Sequence, residues 1–118
     1  MHEQASVRYR EHPAASLLTA PDELQGAGFR GLERALRRNE HRRLLLVLDL
    51  RGVTRIGPDA VAFLRAAQLR ARRERRCVWV LPSAVVVDAV DAAGAGGLVE
   101  FAPADELERW LVTGAVAD

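Results

Sequence analysis

Asp49, at the end of the apolar run 44-LLLVLDL-50, is the carboxylate best placed for chemistry. A carboxylate at the mouth of a buried strand has two uses. It can accept a phosphoryl group, as in a receiver domain, or it can fix the following loop by accepting backbone N–H bonds. The first use needs an acidic pair after an early strand and a lysine after the last one. Residues 5–20 hold no acidic pair, and all 17 basic residues of the chain are arginine. Without lysine, Schiff-base chemistry and phosphate-loop lysines are also excluded. Loop fixing is therefore the expected role of Asp49.

The other reactive groups do not assemble into a catalytic set. His2, His12 and His41 fall in polar, loop-like contexts without metal spacing and are expected at the surface. Ser6, Ser16, Ser83 and Cys77 have no base at a matching position. Cys77 opens an apolar stretch, where a free cysteine behaves as a small hydrophobe. Gly94-Ala95-Gly96-Gly97 has a helix before it and a strand after it. That is the reverse of a phosphate cradle, so it is expected to be a helix C-cap and turn. The single cysteine excludes a disulfide framework, and neither metal nor cofactor is expected. The tract Arg65, Arg70, Arg72, Arg73, Arg75, Arg76 is read as the solvated end of a helix, where cations oppose the helix dipole, with an acidic protein partner as the lesser alternative. A net charge of +1 and an aromatic content of 5% argue against nucleic acid.

These residues must be positioned by a small fold. The chain has 118 residues, 49% of them apolar, enough for one domain over 1–118 with one aliphatic core. No apolar run reaches the ~18 residues of a membrane span, and the polar start MHEQASVRYREH does not resemble a signal peptide. A cytoplasmic protein is expected, with about the first four and last five residues frayed.

Short strands are predicted over 5–10 and 15–20, broken at His12-Pro13, followed by a turn-rich link, PDELQGAG. Phe29, Leu32 and Leu36 mark an amphipathic helix ending at Asn39. The continuous apolar run 44–50 suits a parallel strand covered on both faces. Pro58 fits the first position of a helix running to about Arg73, with Asp59 in its first turn and Phe63, Leu64, Ala67 and Ala71 as its buried stripe. A strand over 77–81, a helix over 84–93 and a strand over 98–101 follow. A last helix starts at Pro103, with Leu107, Trp110 and Leu111 on one face. Strands alternating with helices predict an α/β domain: a mainly parallel sheet of four to five strands with about four helices.

The stretch VLDLRGVTRIGPDAVAFL resembles the central motif of STAS domains, the sulfate-transporter and anti-sigma-factor-antagonist family. That motif is roughly D-L-x-x-V-x-x-I-D-S-[ST]-G-L-x-x-L. Asp49, Leu50, Val53, Ile56 and Leu64 match in register. Asp22-Glu23-Leu24-Gln25 stands where the family has G-E-L-D, and CVWVLP, the helix ending at Gly94, LVEF and PADELERWL follow the family's order. The likeness covers about 15–113 and implies a STAS-like fold.

The departures fall at the family's switch. Its D-S-[ST]-G is here Gly57-Pro58-Asp59-Ala60. The serine that partner kinases phosphorylate corresponds to Pro58, and the last residue of G-E-L-D to Gln25. Thr54 does not match the acceptor and is expected to be structural. A phosphate at a helix N-terminus adds about 1.5–2 negative charges. Asp59 places one permanent charge in the same turn. It could imitate the phosphorylated, partner-released state, or the loop could be locked in a binding-competent shape.

The resemblance thus implies a non-catalytic interaction domain binding an anti-sigma factor or a serine-kinase-like protein. The implied contacts are Gly57, Pro58, Asp59, Ala60, Val61 and Leu64 with Glu23 and Gln25, and no residue there is phosphorylated. Two alternatives stand beside it: an accessory STAS subunit of a transport ATPase, and a small-molecule or nucleotide binder. A second copy of the chain is a further candidate partner.

Overall fold

The computed structural model describes residues 7–12, 15–102 and 105. Its elements in chain order are β1 (Arg8–His12), β2 (Ala15–Thr19), β3 (Glu23–Leu24), α1 (Gly26–Asn39), β4 (Leu45–Leu50), β5 (Arg55–Ile56), α2 (Pro58–Arg73), β6 (Cys77–Pro82) and α3 (Ala84–Ala92). The main sheet has the order β1-β2-β4-β6. β2, β4 and β6 are parallel, with Leu48 opposite Leu18 and Val80, and β1 adds an antiparallel edge.

Residues 45–50 behave as the apolar run predicts, whereas Leu44 lies outside β4 and is 74% exposed. Leu46, Leu48 and Leu50 point to one face of the sheet, where all three described helices pack. Leu32 and Leu36 of α1, Leu64 and Ala67 of α2, and Val86 and Val90 of α3 close that core. Val47 points to the opposite face, into a smaller cluster with Ala15, Leu17, Leu81 and Ala102. A side chain sealed in this way contributes about 1.5–3 kcal/mol.

Helix α2 has the expected bounds, and Leu64, Ala67 and Ala71 of its expected stripe are buried, but the buried face is broader. Ala60, Val61 and Gln68 are buried, whereas Phe63 is only half-buried. Phe63 meets Phe29 edge to face, with ring centroids 5.5 Å apart, and so joins α2 to α1. Gln68 Nε2 lies 3.5 Å from Glu100 Oε1, a polar position that the apolar pattern did not mark.

Several expectations are corrected. The link PDELQGAG holds a strand, β3, and three further residues of α1 before Phe29. Residues 98–101 do not form a strand within the described chain: Phe101 makes one parallel bridge to Val80, through Val80 N–H to Glu100 O and Ala102 N–H to Val80 O. His12 is buried at the end of β1 rather than exposed. Cys77 is exposed, because as the first residue of β6 it lies beyond the apolar cluster on its face. The first strand begins at Arg8 and runs on to His12, later at both ends than the expected 5–10. The helix expected from Pro103, His2 and the expected frayed ends lie outside the described residues.

Both helix ends after the site close with the same bond pair. After α3, Gly94 has φ +70°; its N–H donates to Asp91 O at 3.0 Å, and Ala95 N–H donates to Val90 O at 2.9 Å. This is the Schellman cap expected of the glycine stretch. After α2 the corresponding residue is Arg75, at φ +58°, with Arg75 N–H to Arg72 O at 3.2 Å and Arg76 N–H to Ala71 O at 2.8 Å. A Cβ in this left-handed region is strained. The turn nevertheless places the buried Arg76, whose Nη1 donates to Glu40 O at 3.0 Å and Nε to Glu74 Oε1 at 2.9 Å. Arg70 forks onto Glu40 Oε1 at 3.2 and 3.1 Å, and His41 Nε2 lies 3.0 Å from Glu74 Oε1. Two members of the basic tract are thus internal ties between the C-terminal ends of α1 and α2, and His41 has a carboxylate partner 33 residues away.

Two outcomes follow. Arg75→Gly relieves the left-handed strain and raises stability by about 0.5–1 kcal/mol in chemical denaturation, less than the full strain because glycine frees the unfolded chain. Glu74 is held below the ordinary glutamate value of 4.5, first by its hydrogen bond from Arg76 and then by that from His41. Its stabilisation is therefore complete above 4.5 and is lost as pH falls through the lower folded value. Glu74→Gln should be the less stable protein at neutral pH, and its deficit should shrink as both proteins are denatured at successively lower pH down to about 3.

Candidate functional site

The site is built where two loops at the same end of the sheet meet. β4 delivers the first of them at Asp49. Asp49 Oδ1 accepts the backbone N–H of Arg51 at 3.1 Å and its Nε at 3.0 Å, and Oδ2 accepts Nη2 at 3.0 Å. The carboxylate fixes its own loop, as expected. Ser83 also holds this loop. Its hydroxyl donates to Val53 O at 2.7 Å and accepts Val86 N–H at 3.3 Å, capping α3.

The second loop carries Glu23 and Gln25. β3 pairs in parallel with β5, Glu23 opposite Arg55 and Leu24 opposite Ile56. The carbonyl of Asp22 accepts Thr54 N–H at 2.8 Å, Arg55 N–H at 3.3 Å and the Thr54 hydroxyl at 3.2 Å. Gly57 N–H continues the ladder to Leu24 O at 3.0 Å. Thr54 is structural, as expected. The pairing seats Gln25 against Gly57: a Cβ on Gly57 would stand 3.4 Å from Gln25 Cβ.

At this junction α2 begins. Gly57 is extended, with φ −91° and ψ 165°, and makes no side-chain cap. Its carbonyl accepts Ala60 N–H at 3.1 Å and Val61 N–H at 3.3 Å. Pro58 occupies the first helical turn without leaving a donor unmet, and Asp59 puts its charge at the positive end of the helix dipole. Pro58 and Asp59 are exposed, as are Glu23 and Gln25, and a depression of about 150 Å³ lies between the two loops. The sequence-predicted contact residues thus divide in two. Glu23, Gln25, Gly57, Pro58 and Asp59 form one surface. Ala60, Val61 and Leu64 are 1%, 6% and 2% exposed and pack inward; Leu64 is buried as its place in the helix stripe predicts, and Ala60 also lines the depression.

No hydroxyl, thiol or imidazole stands among those five residues. Among the described residues no group of histidine, cysteine or carboxylate side chains could hold a metal ion, and no helix is long and apolar enough to cross a membrane.

Sequence reasoning missed Gly28. A Cβ there would lie 2.0 Å from Glu23 O and 3.2 Å from Glu23 C and the Pro21 ring. α1 can therefore approach β3 only because this position has no side chain. A glycine inside the first turns of a helix was the available signal, but it was absorbed into a turn-rich link.

No protein-family model matches the chain, and no curated protein matches it in sequence. Among solved structures it is similar to that of the anti-sigma factor antagonist SpoIIAA in its unphosphorylated form, with a TM-score of 0.69 at 9% identity, covering 96% of this chain and 100% of that chain. The chain therefore has the STAS fold that its sequence pattern resembles, and at this identity the likeness speaks for the fold alone.

The close approach at Gly28 has a measurable consequence. Gly28→Ala forces β3 off α1, with a stability loss of about 1–3 kcal/mol or more in chemical denaturation. Amide exchange should quicken at Thr54, Arg55 and Gly57, whose N–H groups bond to the displaced segment, and be little changed in the main sheet.

Proposed function

We propose that this chain is a non-catalytic interaction domain. It binds an anti-sigma factor or serine-kinase-like protein through the surface of Glu23, Gln25, Gly57, Pro58 and Asp59, without a serine phosphoswitch. The observation that carries the proposal is the junction itself. Paired backbone fixes two loops into one exposed surface at the start of α2, and the residue matching the family's phosphorylated serine is a proline. The hydroxyls of Thr54 and Ser83, which hold the loop before α2, donate to backbone carbonyls. SpoIIAA, which shares the fold, is described as an anti-sigma factor antagonist with an unphosphorylated form, and that is the class of partner the surface is assigned here.

The mechanism is occupancy. The domain covers its partner's surface, and the kinase activity of that partner finds no acceptor. Asp59 gives the surface a fixed negative charge, which a partner meets with a cation. The family's regulated charge is thereby replaced by a constant one of smaller size.

The test uses the purified chain with the kinase-like anti-sigma factors of its own organism, with and without ATP. A complex should form equally in both conditions, and mass spectrometry should find no phosphate on residues 57–60. Asp59→Arg should weaken the complex at least about tenfold, while the reversed charge at the start of α2 lowers the melting temperature only slightly and leaves the protein folded. Phosphate in that loop overturns the proposal, and so does recovery of a transport ATPase with no kinase-like protein.

A further inference from the structure

A groove of about 440 Å³ runs between the N-terminal half of α2 and the C-terminal half of α3. Its walls include Ile56, Pro58, Ala62, Ala89 and Ala92, and its lining has a single charged side chain, Arg65. Arg65 makes no ion pair among the described residues. A body that covers the groove must give this guanidinium an acceptor, because burying it unpaired is costly. The short alanine walls allow the backbone of an incoming segment to approach closely.

The same pattern continues along α2 beyond the groove. Leu69, 40% exposed, and Arg72 follow Arg65 at i+4 and i+7, so the three share one face of the helix over two turns, about 10 Å. Arg72 likewise makes no ion pair among the described residues. Leu69, with a cation one turn to either side, forms a strip whose charge spacing is that of acidic side chains at i and i+7 of a helix. It matches a protein segment of complementary charge.

We propose that the α2–α3 groove receives an amphipathic helix of the protein partner, aliphatic toward the groove, with acidic residues two turns apart meeting Arg65 and Arg72. This rests on the reading of the chain as an interaction domain and names the chemistry of the segment it takes. Pro58 lines both the groove and the depression beside Gln25, so one partner can cover both.

The probe is a labelled synthetic amphipathic helix of about 18 residues, with leucines on one face and two glutamates spaced two turns apart. A counterpart has lysines in place of the glutamates. Fluorescence anisotropy with the full chain should show the glutamate peptide binding at least about tenfold more tightly than the lysine peptide. Charge reversal by Arg65→Glu with Arg72→Glu should invert that preference, and Ala92→Phe, which fills the groove at an exposed position, should weaken both peptides. A preference unmoved by charge reversal overturns the proposal. So does absence of binding, or a groove that takes up decanoate and not the peptide. The peptide requires no anti-sigma factor. Failure here with the kinase-like partner still bound therefore removes the groove alone, and peptide binding without any such partner removes the functional reading alone.

Discussion

Strand β4 must be covered on both faces, and most of the architecture follows from that requirement. Leu46, Leu48 and Leu50 face one side and Val47 the other, all of them buried. A strand with no polar face cannot lie at a solvated edge. It needs a parallel neighbour on each side, which β2 and β6 supply, and the crossovers between parallel strands supply α1 and α2. Placing β4 in the centre also brings the loop after Asp49 out at the middle of the sheet's C-terminal end, where α1, α2 and α3 all pack close by.

The site depends on a second, smaller constraint. β3 and β5 are each two residues long, and such a pair is not stable by itself. It persists because the Asp22 carbonyl takes three donors from the other loop, because Gly57 extends the ladder by one bond, and because Gly28 lets α1 press against Glu23. The exposed face of this assembly is small, and paired backbone ties its two loops together. A partner would then meet a surface already ordered, with little entropy left to lose on binding.

At the other end of the helices, order is maintained by charge. Arg70, Arg76, Glu40, Glu74 and His41 tie the last turns of α1 and α2 together. Arg76 is reached through a left-handed residue that is not glycine. The strain at Arg75 is tolerated because the turn it makes buries Arg76 with several bonds, and loss of one partner would leave a buried charge unpaired. These contacts also divide the arginine tract. Arg70 and Arg76 work inward, while Arg65 and Arg72 remain on the surface.

The sequence by itself determined whatever depends on local period and composition. The burial of Leu46, Val47, Leu48 and Leu50 on the two faces of β4, the start of α2 at Pro58 with Asp59 in its first turn, the loop-fixing role of Asp49 and the glycine cap after α3 were legible because each is set by residues within a turn or two of one another. The resemblance carried the STAS fold by the same route, through the order and register of apolar positions. What the tertiary structure decided involves residues far apart in the chain. β3 was invisible because two residues have no period to detect, and its partner lies about thirty positions away. The motif groups Ala60 with the exposed Pro58 and Asp59, whereas the turn of the helix points its side chain inward. Gly28, Arg76 and the groove at Arg65 have meaning only once α1, α2 and α3 lie against one another, because their roles are set by atoms of other elements.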